Sequence, residues 1–191
     1  MKIVSLLGSP RTEGNSSTIA RHVLKTAATH GAKTTTYELN RLIYRGCQGC
    51  YACKTKLDTC VLKDDLTEVL EAVQGADTVI LATPVYYGEI TSQLKGFIDR
   101  TFSYLVPDYL TNPHPSRLTP KKLIFVLAQG HPDETFFADI FPRYSGFLKW
   151  QGFYDIRLIR ACGVGPSTVD VDGISDHILD QAEKAAQQLM L

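Results

Sequence analysis

KIVSLLGSPRTEGNSSTIARHVLKTAATH, residues 2–30, decides the fold. A short apolar run ends at Gly8, and a loop of Gly, Ser, Thr and Arg follows. Asn15 or Ser16 then stands where a helix cap belongs, ahead of a helix reaching about His30. That is strand, loop, helix. Moving outward along the chain, the unit recurs. Residues 33–39 alternate with Thr and Tyr as a strand does, and residues 64–73 carry apolar positions at helical spacing after an Asp-Asp start. DTVILAT (77–83) and KLIFVLA (122–128) are continuous apolar runs of the kind buried on both faces of a parallel sheet. Residues 91–104 and 134–150 read as the helices that follow them, 154–162 as a last strand and 174–191 as a closing helix. Five strands alternating with five helices predict an α/β, doubly wound sheet with helices on both faces, a single domain over 1–191.

Two insertions interrupt the alternation: a cysteine-rich segment at about 41–63, and a stretch at about 105–120 that holds four prolines. Loops of this length in a compact domain act as lids or as contacts with a second subunit. Charge narrows the partners. Lys plus Arg number 20 and Asp plus Glu number 20, so no broad field favours nucleic acid or anionic lipid. The apolar run near the start is too short for a signal-peptide core, and no stretch approaches the length of a membrane span. The expectation is a cytoplasmic protein with no nucleic-acid or membrane partner. In a reducing compartment, clustered cysteines point to metal binding or redox chemistry rather than to structural disulfides.

The loop GSPRTEGNSST (8–18) has the composition of a phosphate cradle. Small residues let backbone N–H groups approach an anion, hydroxyls donate further hydrogen bonds, a helix start adds partial positive charge, and Arg11 can pair with phosphate oxygens. It lacks the Gly-Lys-Ser/Thr ending of a nucleotide-hydrolase loop, and Gly8 and Gly14 stand too far apart for a dinucleotide fingerprint. Two further pieces end the next strands: TPVYYGEI (83–90), where tyrosines offer flat faces for a ring system, and AQGH (128–131). Three loops at the ends of neighbouring strands converge on one crevice, the place where such sheets bind ligands.

Cys47, Cys50, Cys53 and Cys60 follow a C-x2-C-x2-C-x6-C spacing that brings several thiolates around one centre. Tetrahedral zinc, a redox disulfide and metal-free thiols all fit that spacing. Cys162, alone at a strand end, reads as a buried apolar residue. Of the five histidines, His131 alone falls near the predicted crevice, where helix capping is its expected role.

GSPRTEGNSST, the stretch TPVYYGEITSQLKGFIDR (83–100) and the CQGCYAC cluster (47–53) between them resemble the NAD(P)H-dependent FMN reductase family, in the branch that includes the iron-sulfur flavoproteins. The resemblance covers residues 1–130 by motif and the last third by element order. It implies a flavodoxin-like five-stranded parallel sheet in the order 2-1-3-4-5, with FMN at the carboxyl ends of the strands. Ser9, Arg11, Asn15, Ser16, Ser17 and Thr18 would surround the phosphate. Pro84, Val85, Tyr86, Tyr87, Gly88 and Glu89 would border the isoalloxazine ring, with Gln129 and Gly130 at its far edge. NAD(P)H would be the co-substrate, and electrons would leave to a quinone, free flavin, another small-molecule acceptor or a redox protein. The four cysteines would hold a [4Fe-4S] cluster in the alternative of an iron-sulfur flavoprotein electron carrier reduced by ferredoxin. A non-catalytic regulatory or scaffold module is the third reading. The family also implies a homodimer or homotetramer, with the aromatic stretch FFADIFPRYSGFLKW (136–150) and the proline-rich loop as candidate boundary.

Overall fold

The computed structural model describes residues 1–165 and 174–189. Strands β1 (Lys2–Leu7), β2 (Lys33–Glu38), β3 (Thr78–Tyr86), β4 (Glu89–Ile90), β5 (Lys121–Ala128) and β6 (Phe153–Ala161) alternate with helices α1 (Asn15–Thr29), α2 (Ala52–Thr55), α3 (Leu66–Gln74), α4 (Ser92–Arg100), α5 (Ile140–Trp150) and α6 (Asp176–Leu189). Five strands run parallel in the order β2-β1-β3-β5-β6, and β4 pairs antiparallel with β3. This is a flavodoxin-like α/β sheet with six strands, not the five expected. Numbered along the chain its order is therefore 2-1-3-5-6 in place of 2-1-3-4-5, because β4 is inserted off the main path.

The period-2 alternation of the strands sorts their side chains onto two faces. Val4 and Leu6 of β1, Val79 and Leu81 of β3, and Leu123, Phe125 and Leu127 of β5 pack against α3, α4 and α5. Their neighbours Ile3, Leu7, Ile80, Ala82, Ile124, Val126 and Ala128 pack against α1 and α6. Both faces of the central strands are thus covered, which is why β3 and β5 read as unbroken apolar runs. The small residues Ala20 and Ala27 of α1 and Ala182 and Ala186 of α6 lie buried in the second cluster, and their size allows close helix packing. β2 at the edge carries Lys33 and a row of threonines that are mostly exposed, the polar surface an unpaired edge requires. No helix among the described residues is long and apolar enough to cross a membrane.

Three element boundaries differ from expectation by more than two residues. β3 runs on to Tyr86 and turns back into β4 through Tyr87 and Gly88, whose φ values of 52° and 82° give the left-handed pair that a two-residue hairpin demands. α5 starts at Ile140 rather than 134. Asp133 Oδ1 accepts the Thr135 N–H at 2.8 Å and its hydroxyl at 2.7 Å, which holds this stretch in a turn. Starting there also leaves Pro142 in the first turn of the helix, where a missing N–H is harmless. The 91–104 helix ends at Arg100 and continues as a 3-10 turn over Thr101–Tyr104. Of the closing helix expected over 174–191, residues 190–191 lie outside the described residues.

One buried cation fastens the underside of the sheet. Lys121, 1% exposed, donates through Nζ to the carbonyl of Gln74 at 2.8 Å and also to that of Ala76, closing the end of α3 onto β5. The lysine sits where the partial negative charge of that helix end favours it. Burial nonetheless lowers its pKa below the ordinary lysine value. Replacing it by Met removes the donor and leaves two carbonyls without it. Lys121→Met is expected to lose about 1–3 kcal/mol of stability, read as a lower urea midpoint with an unchanged slope; an unchanged midpoint would show the contact to be idle.

Candidate functional site

The chain leaves β1 toward β2 on one side and leaves β3 toward β5 on the other, so the carboxyl ends of β1 and β3 open between diverging loops. Gly8 sets the spacing there. Its N–H donates to the Ala82 carbonyl at 2.8 Å. A Cβ at this position would stand 2.8 Å from Thr91 Oγ1 and 2.9 Å from Leu94 Cβ, inside van der Waals contact. Thr91 in turn caps α4 by accepting the Leu94 N–H, and its own N–H donates to Thr83 Oγ1 at 3.1 Å. β1, β3 and α4 are thereby fixed at one point beneath an open cleft of about 230 Å³.

Ser9, Arg11, Asn15, Ser16, Pro84, Val85, Tyr86 and Gly130, all expected at a ligand site, line that cleft together with Gly14, Ala128, Val164 and Gly165. The first loop is wound into a compact turn: Arg11 N–H donates to Ser9 Oγ at 3.1 Å, and Gly14 N–H to the Arg11 carbonyl at 3.2 Å. A Cβ on Gly14 would come within 2.7 Å of Ser9 Oγ, so the turn closes only around glycine. Helix α1 then starts with no side-chain cap and no acidic residue in its first turn. Its first residues, Asn15 and Ser16, line the cleft, and a helix start carries unpaired N–H groups and partial positive charge. Ser16 Oγ is buried and has no hydrogen-bond partner among the described residues. A buried hydroxyl left unpaired is costly. Outside the cleft, Arg21 fastens the loop, donating to the Thr12 carbonyl and, at 2.9 Å, to Glu38 at the end of β2.

The other expected residues lie around this cleft without lining it. Ser17 is buried in the first turn of α1, its hydroxyl also without a partner among the described residues, and Thr18 begins the helical bonding by donating its N–H to the Gly14 carbonyl at 2.9 Å. Tyr87 is fully exposed at the hairpin tip, beside Gly88. Glu89 accepts from the Ile90 N–H at 2.8 Å and pairs with Arg143 of α5. Burial acts to raise the Glu89 carboxyl, but the bonds from Arg143 and Ile90 outweigh it and hold its pKa below the ordinary value. Glu89 thus ties the hairpin to α5. Gln129 is turned inward, with Nε2 donating to the carbonyls of His131 at 3.0 Å and Asp133 at 2.8 Å. His131 stacks on Phe136, and its Nδ1 accepts the Asp133 N–H at 3.1 Å. Gln129 and His131 thereby shape the loop after β5.

Val164 and Gly165 form a wall that the sequence reading missed. Val164 N–H donates to the Gln129 carbonyl at 3.2 Å, and Asn15 Nδ2 donates to the Gly165 carbonyl at 3.0 Å, joining the loop after β6 to the start of α1. The Gly163-Val164-Gly165-Pro166 run directly after a strand was the available signal. Cys162 precedes it, half-buried, and burial pushes its thiol pKa up.

A second, smaller cavity of about 30 Å³ is lined by Cys47, Cys50, Cys53 and Cys60 together with Arg100 and Phe102. All four are free thiols. The loop turns them to one side through Gly49 and Tyr51, whose φ values of 61° and 56° are both left-handed; for tyrosine that conformation carries strain. The thiols ring a cavity instead of meeting at a point: among the described residues, no three His, Cys, Asp or Glu side chains are arranged to hold a single metal ion. Arg100 underlies the loop, its Nη1 donating to Asp64 at 2.8 Å and to the Arg45 carbonyl at 2.9 Å. Burial opposes the Arg100 charge, while Asp64 and Cys60 outweigh it and raise its pKa further.

A family profile described as NADPH-dependent FMN reductase matches residues 1–134. An iron-sulfur flavoprotein of Archaeoglobus fulgidus is 40% identical over 99% of this chain and 77% of its own length. An FMN-dependent NADH:quinone oxidoreductase of Chromobacterium violaceum is 33% identical over 60% of this chain and 59% of its own. Among solved structures, the NAD(P)H:quinone oxidoreductase of Methanothermobacter marburgensis superimposes with a TM-score of 0.78 at 19% identity, over 99% of this chain and 96% of that one. With the crevice at the β1/β3 switch and the profile match spanning the loops after β1, β3 and β5 that line it, the chain belongs to the NADPH-dependent FMN reductase family.

Proposed function

We propose that this protein is an FMN-dependent oxidoreductase that draws electrons from NAD(P)H and passes them to a quinone or another small acceptor. The observation that carries the reading is the buried, unpartnered Ser16 hydroxyl in a cleft shared with Arg11 and the uncapped start of α1. That donor set suits a phosphate monoester: one guanidinium, hydroxyls from Ser9 and Ser16, and helix N–H groups, with no carboxylate lining the cleft among the described residues. Ser17 and Thr18 would support the phosphate from within α1. Pro84, Val85 and Tyr86 would lie along one edge of the flavin ring, with Gly130, Val164 and Gly165 opposite. Tyr87, Gly88 and Glu89 would act from the hairpin. FMN, when bound, supplies the hydride-accepting centre and the one- and two-electron chemistry. The chain itself binds the phosphate, orients the ring between the 84–86 and 128–130 loops and leaves one side open to donor and acceptor in turn. Fixed dipoles at the cleft would favour added negative charge without a proton-donating side chain.

A second reading is favoured by the cavity that all four cysteines share: the protein carries an iron-sulfur cluster as well, and exchanges electrons with a redox protein. Thiols spread around a cavity suit a multi-iron cluster, whose ligands bind different atoms, better than a single tetrahedral ion. Cys47, Cys50, Cys53 and Cys60 would each supply one thiolate. The homodimer or homotetramer inferred for the family would cover the apolar cleft between α4 and α5, where Phe147 and Trp150 are exposed.

Gly14→Ala drives a Cβ against Ser9 and is expected to weaken FMN binding at least tenfold, about 1.4 kcal/mol, in a flavin-fluorescence titration. Unchanged affinity would remove the cradle from the FMN site. In anaerobically reconstituted protein, Cys60→Ser is expected to lose most of its iron while keeping FMN; wild-type protein that takes up no iron and sulfide would end the cluster reading. Wild-type protein is expected to sediment as a dimer or tetramer and Trp150→Asp as a smaller species, whereas a monomeric wild type would exclude the α4/α5 boundary.

A further inference from the structure

Three cations back the cysteine segment. Lys54 lies inside it and is only 9% exposed. Its Nζ donates to the Phe102 carbonyl at 2.6 Å, stands 3.4 Å from Cys53 Sγ and sits 4.2 Å from the centroid of the Phe102 ring. Arg100, whose side chain is wholly buried, lines the thiol cavity, and its Nε has no hydrogen-bond partner among the described residues. Arg117 donates from Nη2 to the Cys53 carbonyl at 3.4 Å and to Asp58 at 3.3 Å. Against these cations stand Asp64, paired with Arg100, and Asp58, whose side chain is 92% exposed and therefore a weak counter-charge.

Buried cations without matching anions are costly, by several kcal/mol per ion. The surplus positive charge beside Cys53 and Cys60 is balanced when the thiols carry negative charge around an anionic occupant. Lys54 is the best placed of the three to act on that occupant. Arg100 also faces Cys60 but is paired with Asp64, and Arg117 is paired with Asp58 and bonded to backbone carbonyls, whereas the Lys54 ammonium has no carboxylate partner among the described residues and stands 3.4 Å from the Cys53 sulfur. Phe102 holds it there by both its carbonyl and its ring face.

We propose that Lys54 is a positioning residue of the four-cysteine site: its ammonium donates to Cys53 as a thiolate ligand and offsets the negative charge an iron-sulfur cluster gains on reduction. The inference rests on the cluster reading given above. The step is a one-electron transfer from a reduced redox protein, the partner of the cluster reading, to the oxidised cluster; the donor is oxidised by one electron, no bond is made or broken, and the added charge is stabilised by the adjacent cation. Removing the cation makes the cluster harder to reduce.

The test is a dithionite titration with redox mediators, followed by the cluster's electron paramagnetic resonance signal, on FMN-loaded, anaerobically reconstituted wild type, Lys54→Met and Lys54→Arg. Lys54→Met is expected to shift the reduction equilibrium at least tenfold toward the oxidised cluster, about 59 mV for a one-electron couple. Lys54→Arg, which keeps the charge, is expected to recover most of that difference, and the flavin content of all three should match. Should Lys54→Met fail to fold, Lys54→Gln, which retains a donor for the Phe102 carbonyl, carries the same expectation. A wild-type potential in the neutral variants overturns the role of Lys54 and leaves the cluster reading standing. Wild-type protein without iron and sulfide overturns both.

Discussion

The close approach of β1 to β3 at Gly8 is the constraint on which the rest depends. The Gly8 N–H to Ala82 carbonyl bond joins the two strands at the point where the chain turns opposite ways, and the absence of a Cβ lets Thr91 and Leu94 of α4 press against it. Everything that lines the cleft hangs from this junction. The loop after β1 leaves it to wind through Ser9, Arg11 and Gly14 into α1; the loop after β3 leaves it through Pro84 to the hairpin. Thr83 and Thr91 bond to each other across the same point, so the start of α4 cannot drift from β3 without breaking a buried hydroxyl pair. A rigid base with donors pointing outward from it is what pre-organised anion binding needs.

The cysteine segment is a different construction. It belongs to no layer of the sheet, and the short helix α2 gives it little regular hydrogen bonding of its own. What fixes it is a set of cations: Arg100 reaches from α4 to the carbonyls of Arg45 and Leu62, Arg117 from the proline-rich loop to that of Cys53, and Lys54 from the segment itself to that of Phe102. The edge contacts from Tyr51 to Phe102, from Phe102 to Tyr109 and from Tyr109 to Trp150 continue this support across to α5. The two insertions that interrupt the α/β alternation are thus packed against each other, and Arg117 of the second bonds directly to the first.

Much of this was legible in the sequence because its physical causes are local. Apolar runs at 77–83 and 122–128 had to be central strands, and the Gly-Ser-Thr loop after β1 had to precede a helix. Where the reading departed from the structure, the cause was a tertiary bond or an uncommon turn residue. The β3–β4 hairpin was missed because its turn is Tyr87-Gly88, without the Asn or Asp that usually announces a left-handed first position. The start of α5 was set too early because Asp133 captures Thr135, although Pro142 inside the expected helix argued for a later start. Gln129 was expected to face the ligand, yet two carbonyls of its own loop claim its amide. Val164 and Gly165 reach the cleft through the Asn15 bond, a contact between residues 150 positions apart that no spacing rule could supply.

The central claim is that the loop between β1 and α1 recognises a phosphate monoester on the flavin, and the most direct measurement compares FMN with riboflavin, which differs in lacking that group. Ion pairing with Arg11 and hydrogen bonds from Ser9, Ser16 and the helix start each contribute of order 1.5–3 kcal/mol to a charged acceptor. Calorimetric titration of the apoprotein is predicted to show FMN binding at least about a hundredfold more tightly than riboflavin, some 2.7 kcal/mol. Equal affinity for the two flavins would contradict the account.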